Sequence, residues 1–283
     1  MIKDYEVLAI SRAWEDRFFT TDSALKAQLQ TSGKDEDDED TSYILQVQDN
    51  VGLIEIKGML TNSNHYYNKW FGMLAYDEIR KATFQAIEAG VGGMMYLVSS
   101  PGGRVSGMQP VAELISSLPV PTLTYTDEQM ASAALFLGIQ SDHVYAGDFA
   151  EVGSVGVLAT VMDYSEAMKK EGISAKRFRS GDLKAVGDPR FKMSAKEEKY
   201  MAEQVMLYAE KFYGIVAEGR GMPRPMLDSL EITSGRTFIG AQAETVGLVD
   251  GITTFDKAFA KIAGLAKKNI DSRDRRTVPY GSL

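Results

Sequence analysis

Cysteine is absent from the 283-residue chain, which removes thiol nucleophiles, disulfides and thiolate metal sites together. Histidine is nearly as scarce, with only His65 and His143, and neither stands where a catalytic base would be expected. His65 lies in the polar run Asn62-Ser63-Asn64-His65-Tyr66-Tyr67-Asn68. His143 opens an apparent strand, where successive side chains point to opposite faces, so Asp142 is poorly placed to orient it. No apolar run approaches the length of a membrane span, and the opening Met1-Ile2-Lys3-Asp4-Tyr5-Glu6 does not have the pattern of a secretory signal. Basic charge is also short: 39 acidic against 31 basic residues leave a net −8, which argues against a nucleic-acid surface. We therefore expect a cytoplasmic protein with no metal, cofactor, nucleic-acid partner or membrane contact.

The length is enough to bury a substantial core, and one domain with additions is expected. Residues 1–30 place Leu8, Ile10, Trp14, Phe18 and Phe19 at helical intervals, as in an arm that packs on the body or on a neighbouring subunit. Residues 31–42 hold six consecutive acids, Asp35 to Asp40, which repel one another and bury nothing, and they read as a flexible acidic linker. The body runs from 43 to 266. Its segments Val51 to Ile56, Met94 to Val98 and Pro121 to Tyr125 read as strands, separated by helices ending near Gly90 and running from about Met108 to Ser117. Val152 to Leu158 reads as a further, glycine-punctuated strand. A capping box at Ser194 and Glu197 starts a long helix in which Met201, Val205, Tyr208, Phe212 and Ile215 recur at three- and four-residue steps. Residues 267–283 turn basic, lose periodicity and read as a flexible tail. Alternating strands and helices imply an α/β fold with a largely parallel sheet.

Three places carry residues suited to chemistry. Ser132, in Met130-Ala131-Ser132-Ala133-Ala134, falls where a strand gives way to a helix, with small neighbours that let a substrate backbone come close. A serine there is a candidate nucleophile, or else an ordinary cap or core residue. The turn Ser100-Pro101-Gly102-Gly103 permits a close backbone approach and reads either as an oxyanion hole or as a plain turn. Lys184 lies in the loop Ser180-Gly181-Asp182-Leu183-Lys184-Ala185-Val186-Gly187. Desolvation by its apolar neighbours would lower its pKa toward that of a general base, while a solvated loop lysine would have no such role.

Together these motifs, in this order, with Val51 to Ile56, Val152 to Val157 and Gly235-Arg236-Thr237-Phe238 before Gln242-Ala243, resemble the signal peptide peptidase A-like serine proteases, particularly the phage head-maturation branch. The resemblance covers about Val51 to Ile252 and implies a Clp protease/crotonase-like fold of repeated strand-strand-helix units. It implies Ser132 as nucleophile, Lys184 as general base, and an oxyanion hole from Gly102 or Gly103 with Ala133. It further implies protein substrates (scaffold, coat or portal protein, or the protease itself) and a homo-oligomeric ring in the bacterial host cytoplasm or inside the procapsid. The dyad would form within one chain or between neighbours. Ala133-Ala134 follows the serine where many cellular relatives have glycines, and no membrane anchor is seen, which favours the phage branch. Rival readings are a peptidase of general peptides, a crotonase-like acyl-CoA enzyme, and a non-catalytic assembly factor on the same fold.

Overall fold

The computed structural model describes residues 7–10, 44–62, 68 and 71–277, with backbone alone at 7–10 and 273–277. The acidic run and His65 lie outside the described residues.

Six strands form the central sheet, in the order β14-β10-β8-β6-β3-β2. These are β2 (Leu45–Gln48), β3 (Val51–Lys57), β6 (Gly93–Ser99), β8 (Thr122–Thr126), β10 (His143–Ala146) and β14 (Gly251–Ile252). All neighbours are parallel except the edge strand β2, which lies antiparallel to β3. The near-continuous apolar runs of β3 and β6 follow from burial on both faces, as in other covered parallel sheets. Side-chain alternation divides them. Ile54, Ile56, Met94, Tyr96 and Val98 face a core shared with helices α1 (Tyr76–Glu88) and α2 (Met108–Ser116). Val51, Leu53, Met95, Leu123 and Tyr125 face the opposite way.

That opposite face is covered by helix α8 (Phe255–Thr277), through Ala258, Ile262 and Ala266 at four-residue spacing. The expected tail from Lys267 is thus corrected as far as Thr277, because the helix continues across it. Asn269 Nδ2 donates to the Gly92 carbonyl at 3.0 Å, so this last stretch is still tied to the sheet. Its many lysines and arginines mask a helix that covers the sheet with small and apolar residues on one side.

Each long strand is followed by a short one that leaves the central sheet, and then by a helix. Thus β3 leads to β4 (Met59–Thr61), β5 (Met73–Ala75) and α1; β6 to β7 (Gly102–Arg104) and α2; β8 to β9 (Gln129–Ala131) and α3 (Ala133–Gly138). After β10, the short strand β11 (Glu151–Gly153) repeats the departure. The expected strand-strand-helix units are therefore present. The short strands enter two further sheets, β12-β1-β7-β4-β5 and β13-β11-β9, with β1 (Val7–Ile10), β12 (Leu158–Ala159) and β13 (Thr237–Ile239). Two readings are revised. The N-terminal periodicity predicts helix, yet Val7–Ile10 is a strand paired with β7 and β12. The strand expected from Val152 to Leu158 is interrupted after Gly153, where Ser154 has φ 54°.

Downstream of the helix α4 (Ser165–Lys170), helix α5 (Ala195–Gly219) begins with the expected capping box at Ser194 and Glu197. The α5 ring of Phe212 meets Phe136 of α3 edge-on, with centroids 5.3 Å apart. Helices α6 (Arg224–Ser229) and α7 (Ala241–Thr245) complete the body.

If α8 is part of the body, Ile262→Ala will lower the unfolding free energy by about 3 kcal/mol, since it empties a fully buried site. Urea titration measures this, and a loss below about 1 kcal/mol would show that the helix is not packed as described.

Candidate active site

The polypeptide reaches Ser132 from β8 through Asp127, Glu128 and β9. The approach is pinned from two sides. On one, the Ser100 N–H donates to the Gln129 carbonyl (2.8 Å) and the Ala131 N–H to the Ser100 carbonyl (3.1 Å). On the other, β9 runs parallel to β11, and the Ser132 N–H donates to the Gly153 carbonyl at 2.8 Å. Ser132 itself has φ 54° and ψ −120°, the conformation of the first central residue of a type II′ turn, which favours glycine. Holding a serine there costs roughly 1–3 kcal/mol, a kind of strain that gathers at functional sites. The next residues, Ala133 to Gly138, are all buried in α3. The Phe136 N–H donates to the Ser132 carbonyl (2.9 Å), which closes the first helical turn and leaves the N–H groups of the residues between without an intrahelical partner.

The glycine turn is built against this junction. Gly102 has φ 99°, and its N–H donates to Ser100 Oγ at 3.2 Å, while that hydroxyl donates to the Gly58 carbonyl at 2.7 Å. A Cβ on Gly103 would lie 1.9 Å from the Leu60 carbonyl oxygen, so only glycine fits. Tyr76 OH donates to the Arg104 carbonyl at 2.6 Å, fixing the far end of β7. Strand β7 packs on α3, so the turn and Ser132 share one locality. Ser99 adds a hydrogen bond to Glu128.

Lys184 is placed otherwise. It is exposed, within a turn closed by its own N–H donating to the Gly181 carbonyl (3.1 Å). Among the described residues, no hydrogen bond or ion pair engages its Nζ, and none joins it to Ser132. Its neighbour Leu183 is also exposed, so the apolar cover expected over the lysine is not formed within one chain.

The loop that carries Lys184 is nonetheless braced. Glu197, 2% exposed, receives Arg179 at 2.6 Å and Arg177 at 3.3 Å. Arg177 also donates to the Ala185 carbonyl at 3.2 Å, and Arg179 to that of Asp182. Burial by itself raises the Glu197 pKa, but hydrogen bonds from the Ser194 N–H and hydroxyl, then from Arg179, with the charge of Arg177, bring it below the ordinary glutamate value. Sequence reading saw Glu197 only as a capping residue, because its arginines lie 18 and 20 residues away. Ser154 was missed as well. It follows the carbonyl that binds Ser132 and donates its own N–H to the Arg236 carbonyl at 2.8 Å, but a strained φ leaves no mark in composition.

Of the two histidines, only His143 is among the described residues, and Asp142 does not orient it. Asp142 accepts from the Thr122 N–H (2.8 Å) and hydroxyl (3.0 Å). His143 instead lies 3.9 Å from Asp250, which is itself engaged by Arg220 at 2.6 Å. Among the described residues, no group of three or more His, Asp or Glu is placed to hold a metal, and no helix is long and apolar enough to cross a membrane.

Two measurements check this geometry. Ser132→Gly will be about 1 kcal/mol more stable to urea than Ser132→Ala, since alanine retains the strain and glycine does not; equal stability would deny the strain. Glu197→Gln will cost about 2 kcal/mol at neutral pH. Because the folded pKa of Glu197 is depressed, its contribution is complete above 4.5 and lost as pH falls through the folded value. The gap between variant and parent will therefore close below that pH, and a pH-independent gap would contradict the ionic role.

The chain is similar to several known proteins. Residues 117–269, over half of the chain, match the profile of peptidase family S49. The putative signal peptide peptidase SppA of Enterococcus faecium is 32% identical over 67% of this chain and 54% of that protein. The capsid assembly protease C of Escherichia phage lambda is 23% identical over 88% of this chain and 56% of that protein. A ClpP1 chain of Listeria monocytogenes aligns with a TM-score of 0.48 at 11% identity, covering 73% of this chain and 93% of that one. The chain spans about half the length of the first curated relatives it matches. By the extent of the family match, the chain belongs to peptidase family S49.

Proposed function

We propose that the protein is a serine endopeptidase working through a Ser132–Lys184 dyad. The observation that carries this reading is the backbone of Ser132, a non-glycine residue kept at φ 54° on a buried strand-to-helix junction beside a turn that only glycine can form. Neutral Lys184 takes the Ser132 proton as Oγ attacks a peptide carbonyl; the lysine then protonates the leaving amine, and water releases the acyl group. The oxyanion is bound by the N–H of Ala133 and of the glycine turn.

Neutral lysine requires cover that the single chain does not provide. Phe178, 92% exposed, with Tyr164, Ile173 and Leu183, gives the segment around Lys184 an apolar surface suited to a second subunit. We assign that cover to a homo-oligomeric ring, whose contacts desolvate Lys184 and bring it to a serine of the same chain or of a neighbour. The substrates we assign are the proteins of a phage procapsid (scaffold, coat, portal or the protease itself) in the bacterial cytoplasm. Support comes from the lambda relative, named a capsid assembly protease, which matches 88% of this chain. A second reading, a peptidase of general peptides, is favoured by the higher identity to the Enterococcus protein.

Co-expression with candidate capsid proteins, followed by mass spectrometry of the products, tests both readings. Ser132→Ala and Lys184→Ala will each lower cleavage by about a thousandfold or more. Parent-like cleavage by either variant would sink the dyad, and cleavage confined to unrelated peptides would favour the second reading.

A further inference from the structure

The five-stranded sheet contains a strand from far outside the body. β1 lies between β12 and β7, antiparallel to both. Leu8 pairs with Leu158 on one side and Arg104 on the other, while Val7 faces Ala159, Ala9 faces Gly103 and Ile10 faces Gly102. β12 and β7 are not neighbours in the sheet, so only β1 joins them. Without it, each would present a row of unpaired N–H and C=O groups toward the other, a slot ready to accept an extended polypeptide.

The position of that slot gives it meaning. One wall is the glycine turn itself, and β1 runs along it toward Gly102. β7 in turn packs on the helix that Ser132 begins. The other wall, β12, lies five residues beyond Gly153, whose carbonyl binds the Ser132 N–H. Ser132 is only 1% exposed, so a polypeptide cannot reach its hydroxyl unless something moves. A strand of four residues against a wall of two is the element with the least to lose. Its few ladder bonds, each worth about 1 kcal/mol net, oppose the entropy of ordering the segment.

We infer that Val7–Ile10 is an internal stand-in for an extended peptide, filling the slot between β7 and β12, and that it must leave before another polypeptide strand can enter. This rests on the peptidase reading for its consequence, though not for the pairing itself. The occupant is defined by backbone, so any extended segment with free N–H groups competes for the slot, and a proline within the segment cannot hold it.

The experiment compares the full chain with Ala9→Pro and with a chain lacking residues 1–11. It follows amide hydrogen exchange in peptides covering residues 102–104 and 158–159, together with the rate of Ser132 labelling by a fluorophosphonate. Both changes are expected to speed exchange at these two strands about tenfold or more while β6 stays protected, and to speed labelling by a similar factor. A synthetic peptide spanning residues 5–12 will restore protection to the shortened chain. Unchanged exchange at both strands would overturn the inference. If Ala9→Pro loses protection throughout, the shortened chain decides: restoration by the peptide supports the inference, and failure to restore overturns it. Faster exchange without labelling in any form would support the strand's role and count against the serine mechanism alone.

Discussion

The pair of backbone hydrogen bonds that ties Ser100 to Gln129 and Ala131 is the constraint on which the rest of the candidate site depends. It joins two successive strand-strand-helix units at their second strands, and so brings the glycine turn of one to the serine of the next. The bond from the Ser132 N–H to Gly153 adds the following unit. Each such bond is worth only about 1 kcal/mol net, comparable to the strain stored at Ser132. The strained backbone persists because it is held from both sides and is followed at once by a buried helix. Ser100 Oγ extends the same logic by donating to the Gly58 carbonyl while accepting the Gly102 N–H.

The lysine loop is organised by different physics. It has little regular structure and few apolar anchors, and it is braced by a buried carboxylate, Glu197, shared by the cap of α5 and by two arginines that also grip the loop's carbonyls. A charge at 2% exposure is tolerated because it accepts several hydrogen bonds. The loop is thereby aimed while Lys184 itself remains outside.

The short strands at the ends of the parallel sheet therefore serve two purposes. β9 and β11 hold the serine; β7 and β12 flank a slot filled by the chain's own N-terminal strand. Both arise from the departure of each second strand from the central sheet, which places short strands of two further sheets beside the site.

Much of the body was legible in the sequence because it is written in local periodicity. The strands from Val51, Met94 and Thr122, the capping box at Ser194 and the helix after it need only neighbours within a few residues to be recognised. Ser132 at a strand-helix junction and the Gly102-Gly103 turn were legible for the same reason. The tail helix was obscured by its charged face, since one buried residue in four is a weak signal without the sheet it covers. The two arginines on Glu197, the commitment of Asp142 to Thr122, the pairing of Val7–Ile10 with β7 and β12, and the positive φ of Ser132 and Ser154 were not legible at all. Each depends on groups far apart in the chain. The sequence by itself determined the strands from Val51, Met94 and Thr122, the helix capped at Ser194 and the residues suited to chemistry, because those properties are local. Only the tertiary structure decided that the serine is strained and buried, that the lysine stands in solvent, and that Val7–Ile10 pairs between β7 and β12, because these follow from backbone groups that meet only when the chain folds.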